Sequence, residues 1–319
     1  MRFLLIGMSR FARRRVLPAV SAMEEIDNVD IASRHAEAAP AALFKPGMIF
    51  TDWRAALDEV GPSLVYVSLV NGDHAAAVRH ALERGHHVVV DKPAFREPEM
   101  AEEMVSLARS SSLVLAEATC YAFHPVFDAL SSVFRDHESS GTKATAVFTP
   151  PVPVGDFRYD RERGGGALLD TGPYMASLGR VLWGAEPEQV NVIVSDRTSE
   201  GVETSYSVLA GYPGARTIVG HFGFTTVYQN SLRLQGKRCA AEVVRPFSIL
   251  PGAGTGITID ADGERSVRWV DPADSMHLFL SRVLRAVDSG SREFDDALLM
   301  DARTLERLCR SAWVTESGR

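Results

Sequence analysis

The first 120 residues alternate short apolar segments with stretches that have the periodicity of amphipathic helices. The apolar segments are predicted strands at 3–6, 29–32, 64–69, 88–90 and 113–116. Helical patterns at 13–23, 53–60, 74–84 and 97–110 lie between them. Strands that alternate with helices form parallel sheets, because each crossover helix returns the chain to the same end of the sheet. The pattern predicts a doubly wound α/β domain at residues 1–120.

The rest of the chain has a different pattern. After a predicted helix at 125–135, strand-like runs follow one another at 143–149, 189–195, 204–211, 216–224, 231–235, 239–244, 256–259 and 266–270. Several of them alternate apolar and polar residues, which is typical of an antiparallel sheet with one wetter face. Predicted helices at 167–182, 274–287 and 294–314 complete this part. We therefore expect a second, α+β domain at 121–319, built on a largely antiparallel open sheet.

Composition narrows the function classes. Of the 319 residues, 45% are hydrophobic and 24% charged, as in soluble globular proteins. The net charge of −7 argues against a broad nucleic-acid or anionic-membrane surface. No apolar run approaches the roughly 20 residues of a membrane span, and the apolar N-terminal stretch is too short for a secretory signal. The three cysteines are far apart and no histidine has ligands at metal-binding spacing, so we expect a cytoplasmic protein without a metal.

A degenerate dinucleotide fingerprint follows the first strand and opens the first helix. Gly7 is expected to make the tight turn, and the small Ala12 allows the helix to pack closely on the strand. Ser9 stands where a second glycine usually lets the backbone approach a pyrophosphate. With Arg10 and Phe11 in the same segment, this turn predicts a nicotinamide dinucleotide site of the Rossmann type.

The end of the second strand distinguishes the two nicotinamide cofactors. An acidic residue there binds the ribose 2′-hydroxyl of NAD, whereas an arginine accommodates the 2′-phosphate of NADP. This chain has Ser33 and Arg34 at that place and no carboxylate. Arg10 is in a position to close on the same phosphate. The alternative is that Arg34 belongs to a solvated basic face, but the pattern favours NADP over NAD.

The fourth strand ends in Asp91, Lys92 and Pro93 without any spacer. The lysine stands at the carboxyl end of a buried strand, where open α/β sheets place their ligands. Pro93 disfavours helical backbone at Lys92 and allows a cis peptide bond between the two. The alternative is an ordinary strand-end turn with a solvated lysine.

A second motif runs from the triple glycine Gly164–Gly166 to Tyr174. Glycines let backbone or ligand approach closely. Asp170 and Tyr174 are four residues apart and share a face in helical geometry. Pro173 suggests that the regular helix begins around Asp170 or Thr171, with Asp170 near its N-terminus. A capping aspartate with a half-buried tyrosine is the structural alternative to a catalytic pair.

These motifs, in this order, resemble the Gfo/Idh/MocA oxidoreductases, named for glucose–fructose oxidoreductase and inositol dehydrogenase. The resemblance also includes Asn71-Gly72-Asp73-His74 after the third strand and the segment 117–125, and it covers essentially the whole chain. Three residues depart from the family pattern: Asp91 replaces glutamate, Ser9 replaces glycine, and Tyr174 replaces the histidine of inositol dehydrogenases. Tyr174 is similar to the tyrosine branch, which includes nucleotide-sugar 3-ketoreductases.

The resemblance implies roles for the site residues. Asn71 and His74 would shape the nicotinamide pocket, and Asp91, Lys92 and Pro93 would border the cofactor. Hydride transfer at a carbinol carbon needs a proton to pass to or from the oxygen. Tyr174 is the predicted acid/base, and Lys92 its electrostatic partner, since a cation favours the phenolate. Asp170 is expected to orient the substrate hydroxyl or to hold Lys92.

Substrate residues are less defined by the sequence. Arginines and aromatics at 158–163 and 221–228 suit a phosphorylated or nucleotide sugar, but they equally suit a solvated loop and a core strand. The leading hypothesis is an NADP-dependent sugar reductase of the nucleotide-sugar 3-ketoreductase kind. The alternatives are a dehydrogenase of inositol or a free sugar, and a non-catalytic NADP-binding regulator. The resemblance further implies a homo-oligomer, a dimer or tetramer.

Overall fold

The computed structural model describes residues 1–34 and 45–317, with side chains through residue 312. The described chain forms two compact units. The first contains Met1–Cys120 and Met276–Ala302, and the second contains Tyr121–Ser275 and the chain from Arg303 onward. The domain boundary at residue 120 stays a prediction from the sequence. The packing also places the segment Met276–Ala302 in the first unit, whereas a single boundary at residue 120 would place it in the second.

The first unit is built on a six-stranded sheet with the order β3-β2-β1-β4-β5-β6. Its strands are β1 Arg2–Ile6, β2 Asn28–Ala32, β3 Pro46–Phe50, β4 Leu64–Val67, β5 His87–Val90 and β6 Leu115–Glu117. Every pairing is parallel. The predicted doubly wound fold is confirmed, and the order places the switch point between β1 and β4. Of the six described strands of this sheet, β3 alone was not predicted. It opens with Pro46 and Gly47, residues that strands tolerate mainly at a sheet edge.

Helices α1 Leu17–Ser21, α2 Trp53–Glu59, α3 His74–Glu83 and α4 Pro98–Ser110 connect these strands. The predicted helix at 13–23 is irregular, since a π-helical turn at Ala12–Val16 precedes α1. Pro18 has no N–H to donate to the preceding turn, which favours a break in the regular α-helical ladder at this point.

The late segment packs onto the first unit through apolar and ionic contacts. It contains most of α8 (Ser275–Ser289) and the start of α9 (Glu293–Ser317). Leu298 and Ala302 join the apolar cluster of that unit. Arg109 of α4 forms an ion pair with Asp295 at 2.6 Å. The sequence did not predict this packing, because the segment lies more than 150 residues after the rest of the first unit.

The second unit is built on an eight-stranded sheet with the order β14-β13-β12-β11-β7-β10-β9-β8. Its strands are β7 Lys143–Phe148, β8 Gln189–Arg197, β9 Glu203–Tyr212, β10 Arg216–Gly223, β11 Asn230–Gln235, β12 Cys239–Val244, β13 Thr255–Ala261 and β14 Glu264–Val270. Only β7 and β10 pair in parallel. The prediction of a largely antiparallel sheet is confirmed.

One face of this sheet is covered by α5 Val126–Asp136, α6 Ala167–Asp170 and α7 Gly172–Trp183 together with the end of α9. The predicted helix at 167–182 is broken at Thr171, just before Pro173, which cannot donate a backbone hydrogen bond. The opposite face, here called the outer face, carries side chains that alternate with the buried ones. Among the described residues, no helix has the length and apolar character needed to cross a membrane.

Candidate functional site

The glycine turn after β1 is pressed against the end of β4. Gly7 has a φ of +88°, and a Cβ there would lie 2.2 Å from the carbonyl oxygen of Ser68. The Gly7 amide donates to the carbonyl of Ala32 at 2.9 Å. Only glycine combines this backbone conformation with so close a neighbour. The turn thus sits at the carboxyl edge of the sheet, at the β1–β4 switch point where such folds bind ligands.

Ser9 caps the helix that follows the turn. Its Oγ accepts a hydrogen bond from the Ala12 amide at 2.9 Å and lies 2.8 Å from Ser68 Oγ. Ala12 is fully buried, as its predicted packing role requires, whereas the Phe11 side chain is 37% exposed. Ser9 thus binds the amides of Ala12 and Arg13, and amides that precede the first intrahelical hydrogen bond suit an anion. The turn fits a dinucleotide pyrophosphate through its backbone.

Among the residues that the structure describes after β2, Ser33 and Arg34 offer a hydroxyl and a cation. The Ser33 amide donates to the Phe50 carbonyl of the neighbouring strand at 2.9 Å, which holds the strand end in place. Arg34 and Arg10 are both exposed, on the segments that follow adjacent parallel strands. Guanidinium groups bind phosphate with paired donors. The residues present therefore fit the 2′-phosphate of NADP better than the bare hydroxyl of NAD.

The turn that carries Lys92 is held by the carboxylate before it. Asp91 accepts hydrogen bonds from the Tyr66 hydroxyl and from Ser68 Oγ, both at 2.6 Å. Tyr66 is fully buried and Ser68 is 3% exposed. The Lys92–Pro93 peptide bond is cis. The structure gives Asp91 a supporting role, since both its oxygens bind side chains of the protein.

Two further contacts hold the same turn. The Pro93 carbonyl lies 2.8 Å from His74 Nδ1, and the Ala94 amide donates to Glu117 Oε2 at 2.7 Å. The other ring nitrogen of His74 lies 3.2 Å from the Leu69 carbonyl, and the side chain is 1% exposed. The His74 ring thus lies between two backbone carbonyls beside the Lys92 turn, and its N–H can donate to one of them. Asn71 begins a 3-10 turn that leads into α3.

Sequence reasoning missed three residues that support the Lys92 turn. Tyr66 lies on β4, Ser68 directly follows it, and Glu117 ends β6. Each is a polar residue at the carboxyl end of a buried parallel strand, and that signal was readable in the sequence. The hydrogen bonds of these residues could not be predicted from the sequence, because their partners follow a different strand.

In the second unit, the triple glycine packs against the protein's own backbone. The Gly166 amide donates to the Arg158 carbonyl, and the Gly165 amide donates to the Asp160 carbonyl, each at 2.8 Å. A Cβ on Gly165 would lie 2.6 Å from both of those carbonyl oxygens. A Cβ on Gly166, whose φ is +110°, would lie 2.3 Å from Glu203 Oε1. The close approach expected here is made to a loop and to Glu203, whose carboxyl pKa is raised by burial.

That packing places Arg158 against Asp170. Arg158 Nε lies 2.9 Å from Asp170 Oδ1, and its Nη1 lies 3.0 Å from Asp156 Oδ1. Burial disfavours the guanidinium charge, but the carboxylates of Asp170 and Asp156 outweigh it and raise the pKa of Arg158. Asp170 ends α6, and the regular helix α7 begins at Gly172 after the N-cap Thr171, close to the start expected from Pro173. Its ionic partner within this unit is Arg158.

Tyr174 lies in the first turn of α7, and its ring is enclosed by other aromatic rings. The ring centroid lies 4.6 Å from that of Phe148 and 5.6 Å from those of Tyr121 and Phe247. Edge contacts of this kind fix ring orientation. Contacts with three aromatic rings therefore orient the ring of Tyr174.

The candidate substrate residues separate into different environments. Arg161 donates to the Gly201 carbonyl at 2.9 Å, and Arg158 is paired as described. His221 points to the outer face, where its ring nitrogens lie near Ser205 and Ser207. Its neighbour in the strand, Phe222, is fully buried. The alternation of a strand explains why residues 221–228 do not form one surface.

Comparisons with known proteins show what the two units are similar to. Residues 1–119 match the model of an oxidoreductase family with an NAD-binding Rossmann fold, and residues 142–242 match the GFO/IDH/MocA C-terminal domain. Among solved structures, a 3-ketoreductase from Actinomadura kijaniata in complex with NADP and TDP-benzene has a TM-score of 0.89, at 26% identity and 98% coverage of both chains.

Two curated relatives are similar over nearly their whole length. A dTDP-3,4-didehydro-2,6-dideoxy-α-D-glucose 3-reductase from Saccharopolyspora spinosa is 30% identical over 93% of this chain and 91% of its own. D-xylose 1-dehydrogenase (NADP(+)) 2 from Haloferax volcanii is 28% identical over 98% of this chain and 97% of its own. The chain belongs to the Gfo/Idh/MocA family of oxidoreductases.

Proposed function

We propose that the protein is an NADP-dependent oxidoreductase that reduces the keto carbon of a nucleotide sugar, as a 3-ketoreductase. The observation that carries this proposal is the full-length similarity to a 3-ketoreductase that binds NADP and a TDP derivative. Tyrosine at position 174, where inositol dehydrogenases have histidine, agrees with it, as does the basic end of β2.

NADPH, when bound, supplies the hydride. The Gly7 turn receives the pyrophosphate on its backbone amides, and Ser33 and Arg34 hold the 2′-phosphate, with Arg10 as a second cation. Phe11 and Ala12 position the first helical turn, and Asn71, His74 and Pro93 shape the nicotinamide side of the site. His74 acts there through the Pro93 carbonyl.

Tyr174 donates the proton to the substrate oxygen. A phenol hydroxyl can act as a general acid toward the oxygen of the keto group while hydride adds to the carbon. Lys92 stabilises the negative charge that develops on the oxygen, and the contacts around its turn keep its backbone in one conformation. Asp170, held by Arg158, orients a neighbouring substrate hydroxyl. These three residues form the proposed catalytic set.

The proposal is tested by following NADPH oxidation with a panel of keto sugars. Tyr174→Phe and Lys92→Ala are each expected to lower kcat by about 100-fold, the scale of a lost general acid or charge contact. Tyr212→Phe, on a buried tyrosine packed against Trp183, and Lys237→Ala, on an exposed loop, serve as matched controls. Normal turnover in both site variants would overturn the assignment.

The same panel separates the competing functions. A dehydrogenase of a free sugar is the second candidate, favoured by the similarity to the D-xylose dehydrogenase. It would oxidise xylose or inositol with NADP and leave nucleotide sugars unchanged. A non-catalytic regulator would quench or enhance NADPH fluorescence on binding and oxidise none of the sugars.

We further propose that two copies of the chain associate through the outer face of the second unit. Large apolar side chains are exposed on that face, with Ile193 at 66%, Val244 at 61% and Trp269 at 74%. Exposed apolar side chains on a sheet face are costly in water and suit a self-complementary interface. A cytoplasmic location stays a prediction from the sequence.

A further inference from the structure

The hydroxyl of Ser9 belongs to a hydrogen-bonded chain that ends beside Lys92. The Ala12 amide donates to Ser9 Oγ at 2.9 Å, and Ser9 Oγ lies 2.8 Å from Ser68 Oγ. Ser68 Oγ donates to Asp91 Oδ2 at 2.6 Å. The chain therefore links the glycine turn after β1, the end of β4 and the lysine turn after β5, three segments that are distant in sequence.

The direction of each hydrogen bond in the chain follows from its ends. A carboxylate only accepts and a backbone amide only donates. Ser68 gives its single hydroxyl proton to Asp91, so it accepts the proton of Ser9. Ser9 in turn accepts from the Ala12 amide with a lone pair. The one proton of the Ser9 hydroxyl is thus committed to Ser68 and is not available to a phosphate oxygen.

We propose that Ser9 and Ser68 are positioning residues for Lys92 and that the Ser9 hydroxyl is not a cofactor ligand. This proposal rests on the proposed function. It gives a positioning role to the serine at position 9, where the dinucleotide fingerprint has a glycine. The Ser9 side chain ties the dinucleotide turn to Asp91, the residue before the catalytic lysine. Tyr66 holds the other oxygen of Asp91 at 2.6 Å, so loss of the serine chain leaves the carboxylate with one support.

The proposal predicts a separation of turnover from cofactor binding. Ser9→Ala, Ser9→Gly and Ser68→Ala are each expected to lower kcat for the keto sugar by about fivefold to tenfold, the effect of one lost hydrogen bond. The Kd of NADPH, measured by fluorescence, stays within about twofold of the wild-type value. Ser9→Thr keeps the hydroxyl and restores kcat. Because the two serines act in series, the double variant loses no more than Ser68→Ala alone.

Ser63→Ala is the matched control, since Ser63 is also buried and precedes β4, at the opposite end of the strand from Ser68. Its kcat is expected to equal that of the wild type. The proposal is overturned if Ser9→Ala raises the Kd of NADPH about tenfold at unchanged kcat, which is the behaviour of a phosphate ligand. Multiplying losses in the double variant would also overturn it.

A second measurement does not depend on turnover. Amine labelling of Lys92, followed by mass spectrometry, is expected to become faster in Ser9→Ala and Ser68→Ala as the turn loosens, and to be unchanged in Ser63→Ala. If the wild type binds NADPH but reduces no keto sugar, the proposed function fails while this measurement still tests the positioning role. Equal labelling in all variants would overturn that role.

Discussion

The Nε of Arg158 lies 2.9 Å from Oδ1 of Asp170, and the triple glycine brings the two residues together. The Gly166 amide binds the Arg158 carbonyl, so the loop before the glycines folds back onto α6. Asp170 is only 12% exposed in its side chain. The backbone contact between Gly166 and Arg158 therefore places the Arg158 guanidinium beside the nearly buried carboxylate of Asp170.

Replacing Arg158 should impair the site more than an ordinary surface arginine would. Arg158→Ala removes the guanidinium that lies 2.9 Å from the nearly buried carboxylate of Asp170, which disfavours the charged form of that carboxylate. We expect kcat to fall by about tenfold or more, with partial retention in Arg158→Lys, and steady-state kinetics measures both. Arg238→Ala removes an exposed ion pair with Glu138 and should leave kcat unchanged. Equal effects at the two positions would contradict the prediction.

The middle glycine of the motif should not tolerate a methyl group. A Cβ at Gly165 would lie 2.6 Å from the carbonyl oxygens of Arg158 and Asp160. We expect Gly165→Ala to lower the free energy of unfolding by about 1–3 kcal/mol, measured by urea denaturation. Gly211→Ala, where the nearest atom is 3.9 Å away, should change it by less than about 0.5 kcal/mol. A neutral Gly165→Ala would show that the loop can shift.

Cofactor preference should depend on Arg34. If its guanidinium binds the 2′-phosphate, Arg34→Ala raises the KM for NADPH by about 10- to 100-fold and leaves that for NADH unchanged. Arg84, an exposed arginine at the end of α3, forms an ion pair with Asp58 of α2. Arg84→Ala therefore controls for the loss of a positive charge. An equal rise in KM for both cofactors would argue against a phosphate contact.

The first unit should lose stability on mild acidification. Burial lowers the pKa of His86, whose ring lies 2.9 Å from Ser63 Oγ and 3.2 Å from the Leu57 carbonyl. The unfolded chain takes up a proton below about pH 6.5, whereas the folded chain resists it. The stabilisation is complete above that pH and is lost as the pH falls toward the lowered pKa. His86→Gln should show a shallower dependence of unfolding free energy between about pH 7.5 and 5.5; equal slopes would refute it.

Association through the outer face should be sensitive to charge. Trp269→Glu places a carboxylate on a side chain that is 74% exposed and proposed to be covered by a second copy. We expect this variant to be monomeric by sedimentation, while Val154→Glu, on a loop residue that is 94% exposed, keeps the wild-type mass. A monomeric wild type, or a dimeric Trp269→Glu, would rule this interface out.

Much of the fold was readable from local pattern. Runs such as Val88–Val90 form strands because β-branched residues pack well in buried sheets, and the strand–helix alternation leaves few topologies. The edge strand β3 was missed because Pro46 and Gly47 mask it. The helix predicted at 167–182 is divided at Thr171. The helical spacing continues through the break, although Pro173 cannot donate a backbone hydrogen bond. At β3, tertiary pairing overrode local propensity.

The sequence by itself determined the family, the parallel and antiparallel sheets, and the chemical types of the site residues, because these follow from periodicity and from motifs close together in the chain. Only the tertiary structure decided the partners. It joined Ser9 to Ser68 and Asp91, Glu117 to the Ala94 amide, and Arg158 to Asp170. Hydrogen bonds and ion pairs of this kind depend on distances of a few ångströms between separate strands and loops, and residue order alone does not specify them.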